Sequence, residues 1–180
     1  MKNYDCIFLD RDGTLNPDPG YISHISDYNF YEFTFPALKI MSKYNNRFCI
    51  VTNQSGVGRG LITTDSLNTI NNFIRKEFNK NNISLIDIYM CFDHPDYTSN
   101  RRKPGPDMFL EAKKEHKLEL SNCLMVGDSI LDMKAGNNLG METLLVLTGE
   151  GKKTLKNYQG SNAISYVATN IYEGFKQLCL

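Results

Sequence analysis

The sequence has no excess of charge of either sign, because 20 lysine and arginine residues balance 20 aspartate and glutamate residues. A chain without net charge creates no overall field that attracts nucleic acid or an acidic membrane. The longest basic run, Arg101–Lys103, is too short to bind nucleic acid by itself. The charge pattern therefore predicts that neither nucleic acid nor a membrane is a partner.

Long hydrophobic runs are also missing. No apolar run approaches the ~18 residues of a membrane-spanning helix, and the N-terminus has no long apolar segment of the secretory type. We therefore expect neither a membrane span nor a secretory signal, and the sequence predicts a cytoplasmic protein.

Cysteine is present, but without the paired spacing of redox or metal motifs. The five cysteines are odd in number, widely spaced, and form no CxxC pair. Three of them lie in apolar runs. This pattern indicates small buried hydrophobic side chains in a reducing compartment.

What the sequence contains is typical of one soluble domain. Its 180 residues are 41% hydrophobic and 22% charged, which is enough for a core and ordinary for a globular protein. We predict a single domain over residues 1–180.

Short apolar runs that read as buried strands alternate with segments of helical spacing. The predicted strands are 4–10, 47–52, 86–91, 122–127, 141–147 and 164–169. The predicted helices open at Pro36, after a cap at Thr63 or Thr64, at Pro106, near Ser129 and at residue 170. Such alternation predicts an α/β fold with a doubly wound parallel sheet, covered on both faces.

Polar clusters follow four of these runs. They are DRDGT at 10–14, TNQSG at 52–56, RRKPGP at 101–106 and GDSILD at 127–132. Ligands of parallel sheets bind beyond the carboxyl ends of the strands. We therefore expect the four clusters to meet at one edge of the sheet.

The clusters supply the groups that phosphoryl transfer needs. Asp10, Asp12 and Asp128 are three carboxylates that would repel one another, and a hard cation such as Mg²⁺ relieves that repulsion. Thr52 and Lys103 add a hydroxyl donor and a compact positive charge.

The spacing of two between Asp10 and Asp12 places both side chains on the same side of an extended segment. One carboxylate can attack phosphorus, and the other can protonate the leaving oxygen and then activate water. Gly13 allows the sharp turn that follows. Arg11 is expected to point the other way, into the fold or to the surface.

Taken together, the motifs resemble the four signature motifs of the haloacid dehalogenase-like phosphatases. FLDRDGTLN, VTNQSGVGRG, RKPGP and MVGD are most similar to the D-glycero-D-manno-heptose-1,7-bisphosphate phosphatases, and histidinol-phosphate phosphatases share most of them. The resemblance runs from about residue 5 to about residue 150 and implies the Rossmann-like haloacid dehalogenase fold.

The resemblance implies a role for each matching residue. Asp10 is the nucleophile and a Mg²⁺ ligand, Asp12 is the general acid and base and offers its backbone carbonyl to Mg²⁺, and Asp128 is the third ligand. Thr52 and Lys103 hold the transferring phosphoryl group. The residues implied in substrate binding or in support of the site are Asp18, Gly20, Tyr21, Asn53, Gln54, Ser55 and Arg102, with Asp132 orienting Lys103 or the waters of the metal.

Family members of this size lack a large inserted cap domain. Only residues 13–51, a stretch of 39 residues, separate Asp12 from Thr52. The resemblance therefore implies an open site, where the loops 16–25, 54–62 and 91–103 select the substrate.

One stretch departs from the family pattern. Many members bind a structural zinc through Cys-x-His and Cys-x-Cys just before RKP. Here Cys91 remains, but Asp93, Ser99 and Arg101 stand at the other three positions. One cysteine cannot form a closed four-ligand site, so we predict no structural zinc.

The resemblance implies a Mg²⁺-dependent phosphomonoesterase that removes the 7-phosphate of D-glycero-D-manno-heptose 1,7-bisphosphate through an aspartyl-phosphate. Its partner would be that small sugar bisphosphate. The reaction would supply nucleotide-heptose for lipopolysaccharide or capsule, and we expect the protein to be a monomer. The alternatives are a histidinol-phosphate phosphatase and a polynucleotide 3′-phosphatase. A phospho-accepting receiver domain is disfavoured, because its acidic pair is adjacent and its phosphorylated Asp lies on a later strand.

Overall fold

A computed structural model of the chain describes residues 3–96 and 99–179, and it contains one six-stranded sheet. The strands are β1 (Ile7–Leu9), β2 (Phe48–Asn53), β3 (Leu85–Cys91), β4 (Leu124–Gly127), β5 (Glu142–Val146) and β6 (Tyr166–Ala168). All neighbouring strands are parallel, and the order across the sheet is β3-β2-β1-β4-β5-β6. This confirms the predicted doubly wound parallel sheet.

Helices connect the strands. They are α1 (Thr34–Ser42), α2 (Ser55–Gly58), α3 (Thr64–Lys80), α4 (Asp107–His116), α5 (Ile130–Asn138), α6 (Gly151–Asn157) and α7 (Ile171–Leu178). The five predicted helices are all present, and the Thr63 side chain caps α3 by accepting from Ser66 N. The sequence did not predict α2 and α6, because helices of 4 and 7 residues are too short to show a hydrophobic period.

Both faces of the sheet are buried, as alternation along β1 illustrates. Ile7 and Leu9 belong to one apolar cluster, whereas Phe8 belongs to a second cluster on the opposite face. In the second cluster Phe8 packs edge-on against Phe109 of α4, with 5.1 Å between the ring centroids. Burial on both faces explains why these strands read as continuous apolar runs.

The strand order reverses at β1, which lies between β2 and β4. In open parallel sheets this is where a crevice forms beyond the carboxyl ends of the strands. Between β1 and β2 the described chain contains only a short 3₁₀ turn (Ile25–Asp27) and α1, so no large cap covers the crevice.

The predicted burial of cysteine agrees with the structure. All five cysteines are free thiols, and Cys6, Cys49, Cys91 and Cys123 are buried. Within residues 3–96 and 99–179, no helix combines the length and the apolar character that crossing a membrane requires.

Candidate active site

The four polar clusters meet at the carboxyl edge of the sheet, as predicted. They line a cavity of about 180 Å³. Its walls are formed by Asp10, Asp12, Asp18, Thr52, Asn53, Arg102, Lys103, Asp128, Ser129, Leu131, Asp132 and Glu150. The cavity opens at the point where the strand order reverses, so the sheet topology explains why these distant segments share one site.

Lys103 lies at the centre of the charged groups, and only 3% of it is exposed. Its Nζ is 2.7 Å from Asp10 Oδ1 and 2.6 Å from Asp132 Oδ1, and it donates to the Val51 carbonyl at 2.8 Å. Burial alone would lower the pKa of Lys103, but the charges of Asp10 and Asp132 raise it above its ordinary value. The lysine is therefore held as a fixed cation.

One carboxylate oxygen from each of Asp10, Asp128 and Asp132 lies within 4.8 Å of the other two. Burial raises the pKa of Asp10 to about 7, and the charge of Asp132 adds to this effect while Lys103 opposes it. Burial and the charges of Asp10 and Asp132 raise the pKa of Asp128 to about 8. The single positive charge of Lys103 does not balance three neighbouring carboxyl groups. This set of oxygen ligands therefore fits a hard divalent cation.

Backbone atoms of two loops closely surround the Asp128 carboxylate, and we call this surrounding the Asp128 seat. The Glu150 N–H donates to its Oδ2 at 2.7 Å. Gly13 and Gly149 both have positive φ, and a Cβ at either position would collide with the Asp128 carboxylate. The sequence motifs did not reveal the second half of this seat, although TGEG (148–151) follows β5 as the other polar clusters follow their strands.

Asp12 has different neighbours. Its Oδ1 accepts from Arg11 Nε at 3.0 Å and Asn16 Nδ2 at 2.9 Å, and its Oδ2 accepts from Arg11 Nη2 at 2.7 Å and Gln54 Nε2 at 2.8 Å. Burial would raise the pKa of Asp12, but the Arg11 charge and these hydrogen bonds hold it below its ordinary value. Asp12 is therefore stabilised as an anion.

The surface placement that was one expectation for Arg11 is wrong. Arg11 is completely buried, and its guanidinium is 5.7 Å from the Tyr28 ring centroid. Strand β1 ends at Leu9, so strict alternation of side chains does not extend to Arg11. The guanidinium instead turns back to the carboxylate of the next residue.

A second cavity of about 340 Å³ adjoins the first at Asp12. It is lined by Asp12, Asp18, Gly20, Tyr21, Ile22, Asn53, Gln54, Ser55 and Gly56. Asp18 Oδ1 accepts from Gly20 N at 2.9 Å, and Gly20 has φ +88°, so this turn shapes the rim of the cavity. Tyr21 is half exposed there. Two of the three loops expected to select the substrate thus contribute to this cavity.

Asn53 and Arg102 link the site to the third loop. The Asn53 side chain accepts from Lys103 N at 3.0 Å and donates to Lys103 O at 3.3 Å, so its amide fixes the lysine segment. Arg102 borders the smaller cavity, and its Nη1 donates to the Asp93 carbonyl at 3.3 Å.

The stretch that departs from the zinc pattern is held by protein contacts. Asp93 Oδ2 accepts from both the N–H and the hydroxyl of Ser99 at 2.7 Å. Arg101 donates to the Met90 carbonyl at 2.8 Å and pairs with Glu111 at 2.6 Å. Tyr97 and Thr98 of this loop lie outside the described residues. The absence of zinc stays a prediction.

The sheet order, the open crevice and the acids after β1 and β4 define the class: a haloacid dehalogenase-like phosphatase. A family model described as "HAD-hyrolase-like" matches residues 100–174. This match agrees with the class that the motifs indicated.

Individual relatives narrow this class. The D-glycero-beta-D-manno-heptose-1,7-bisphosphate 7-phosphatase of Helicobacter pylori is 34% identical over 155 residues, which cover 86% of this chain and 90% of that protein. The D-glycero-alpha-D-manno-heptose-1,7-bisphosphate 7-phosphatase of Campylobacter jejuni is 35% identical, with 82% and 84% covered. The chain belongs to this family of heptose-bisphosphate phosphatases.

A solved structure gives the same result for the fold. The D,D-heptose 1,7-bisphosphate phosphatase from B. bronchiseptica, in complex with magnesium and phosphate, superposes with a TM-score of 0.89. It is 29% identical, and the superposition covers 99% of this chain and 98% of that one.

Proposed function

We propose that this protein removes the 7-phosphate of D-glycero-D-manno-heptose 1,7-bisphosphate, with Asp10 as the nucleophile and Asp12 as the general acid and base. The observation that carries the proposal is the cavity where Asp10, Asp12, Thr52 and Lys103 meet in a chain of this family. The product, a heptose 1-phosphate, suits a supply of nucleotide-heptose for lipopolysaccharide or capsule.

Magnesium is part of the proposal. Asp10 and Asp128, with the backbone carbonyl of Asp12, are the groups that would hold it, and Asp132 would remain with Lys103. The surplus of carboxylates over cations supports this assignment, as does the magnesium in the B. bronchiseptica relative. When bound, the ion supplies positive charge against the phosphoryl oxygens.

The chain's own residues account for the two chemical steps. An Asp10 oxygen attacks phosphorus, the bond from phosphorus to the sugar oxygen breaks, and that oxygen takes its electron pair and a proton from Asp12. Water then attacks the aspartyl-phosphate, gives its proton to Asp12, and the Asp10–phosphorus bond breaks. Thr52 and Lys103 stabilise the charge of the phosphoryl group in both steps.

The 340 Å³ cavity next to Asp12 is the proposed place for the sugar. Asp18, Tyr21 and Ser55 line this cavity and offer polar groups to the sugar hydroxyls. Arg102 lines the smaller cavity, where its positive charge can pair with a second negative charge of the substrate. A site without a large cap suits a small substrate that the loops alone surround. We further propose a single domain that acts as a monomer in the cytoplasm without structural zinc.

Phosphate release tests the proposal. The substrates are both anomers of heptose 1,7-bisphosphate, histidinol phosphate and a 3′-phosphorylated oligonucleotide, each with Mg²⁺ and with EDTA. We expect kcat/KM to be highest for one heptose anomer, by more than about tenfold over histidinol phosphate, and EDTA to stop turnover. A preference of that size for histidinol phosphate, or for the oligonucleotide, would contradict the proposed substrate.

A further inference from the structure

The side chain of Gln54 is more deeply engaged with the protein than a residue that only lines a pocket. It is 4% exposed. Its Nε2 donates to Asp12 Oδ2 at 2.8 Å and to Thr52 Oγ1 at 2.9 Å, while its Oε1 accepts from Arg11 Nη2 at 3.0 Å. Both amide protons and the amide oxygen thus have partners. A flipped amide would set its oxygen against the Asp12 carboxylate, so only one orientation fits.

Arg11 completes the network from the buried side. It donates twice to Asp12 and once to Gln54, and it is completely buried. A paired guanidinium fixes the plane of a carboxylate as well as its position, because the two parallel hydrogen bonds define an orientation. Arg11 and Gln54 together determine where the Asp12 oxygens lie.

The network also reaches Thr52. Because the Thr52 hydroxyl accepts a hydrogen bond from Gln54, its own proton remains available for another acceptor. Thr52 borders the same cavity as Asp12 and Asp10. One amide therefore connects the group proposed for proton transfer with a group proposed to hold the phosphoryl.

We propose that Arg11 and Gln54 are positioning residues that hold Asp12 for proton transfer to and from the substrate. This inference rests on the proposed phosphatase function. Four donors surround the Asp12 carboxylate, so one must release before Asp12 can exchange a proton. The bonds to Arg11 join two charges and are the stronger ones, so Asn16 or Gln54 releases while Arg11 keeps its hold.

The test compares Gln54→Met, which keeps the size of the side chain and removes all three hydrogen bonds, with wild type on two esters. In p-nitrophenyl phosphate, nitrophenolate leaves with the electron pair and needs no proton. In heptose 1,7-bisphosphate, the sugar oxygen needs the proton of Asp12. A loss that acts through Thr52 would affect both esters equally and cancel in their ratio.

We expect Gln54→Met to lower kcat/KM for the heptose ester about 100-fold, and at least about tenfold more than for the aryl ester. The aryl ester should also show a burst of one nitrophenolate per site, because slower proton transfer to Asp12 delays hydrolysis of the aspartyl-phosphate. The matched control is Asn71→Leu, another buried amide, whose Nδ2 donates to Met90 Sδ at 3.0 Å. It should show neither effect.

Equal losses on both esters, or activity like wild type, would overturn the positioning role. If Gln54→Met does not fold, Gln54→Glu tests the same point, because it keeps the shape and replaces the donor with an acceptor that faces Asp12. Its ester ratio should change in the same direction, and an unchanged ratio would overturn the inference. Failure of the wild type on every phosphate ester would instead reject the proposed function and this inference with it.

Discussion

The two carboxylates of the first motif lie two residues apart but in opposite environments. Asp10 shares a buried space with Asp128 and Asp132, and its pKa is raised to about 7. The Asp12 carboxylate accepts four hydrogen bonds, two of them from Arg11, and its pKa is lowered. The surroundings of two identical side chains therefore shift their pKa values in opposite directions.

The largest effect is expected for a substitution of Asp10. Asp10→Asn removes the carboxylate that we propose attacks phosphorus and should leave less than about 1% of wild-type kcat, with an unchanged fold by circular dichroism. Asp65→Asn, the same change at an exposed position of α3, is the control and should have wild-type activity. Activity of Asp10→Asn above that level would remove Asp10 as nucleophile.

A smaller effect, specific to proton transfer, is expected for a substitution of Asp12. Asp12→Asn keeps the size of the side chain but cannot exchange a proton, and its NH2 group faces two of the four donors, so kcat should fall about 10²- to 10⁴-fold. With p-nitrophenyl phosphate, whose leaving group needs no proton, the aspartyl-phosphate should accumulate, which intact-protein mass spectrometry detects as one added phosphate. If quenched samples contain no phosphoenzyme while kcat falls, Asp12 does not act in the second step.

The lysine between the two regions gives a third prediction. Asp132→Asn removes the charge of one of the two carboxylates that hold Lys103, and kcat should fall about tenfold because the lysine is less firmly placed. Asp132 also belongs to the cap of α5, so stability must be separated from activity. Thr63→Ala, which removes the cap of α3, should cost about 1 kcal/mol and leave kcat unchanged. Wild-type kcat in Asp132→Asn would contradict this prediction.

The smallest effect concerns pH and stability. Unfolded carboxyls ionise near pH ~4, whereas the pKa values of Asp10 and Asp128 in the fold are raised to about 7 and about 8. A raised pKa stabilises the fold below the unfolded value, and this contribution is lost as pH rises through 7 and 8. The lowered pKa of Asp12 puts its titration below this window.

The metal-free protein should therefore lose stability between pH 6 and pH 9. Magnesium should reverse the loss at pH 9. The increase in Tm that it causes at pH 9 should exceed the increase at pH 6 by about 3 °C or more. Differential scanning calorimetry at the two pH values measures both gains, and Asp128→Asn should show a smaller difference. Equal gains at both pH values would argue against a metal held by these carboxylates.

Much of this organisation is predictable from the amino-acid sequence. Apolar runs separated by capped helices indicate the parallel sheet, and the rule for its carboxyl edge brings four polar clusters to one place. The short helices α2 and α6 were missed because they carry no periodic signal. The second half of the Asp128 seat was missed because TGEG contributes the Glu150 N–H and the bare backbone of Gly149, and not a reactive side chain.

The roles of individual side chains follow less directly. The sequence predicted Arg11 in the fold or at the surface, and the resemblance to the family implied that Gln54 lines the substrate pocket. Their shared network joins residues 43 positions apart, and no local pattern encodes such a contact.

The sequence by itself determined the class of fold, the set of reactive groups and the edge of the sheet where they meet, because these depend on hydrophobic period and strand direction. Only the tertiary structure decided which charges each carboxylate faces. Burial, ion pairing and hydrogen bonding act over a few ångströms, so Asp10 meets Lys103, Asp128 and Asp132 only once β1, β2 and β4 lie side by side. Asp12 pairs with its chain neighbour Arg11, but both reach Gln54 only through the same packing.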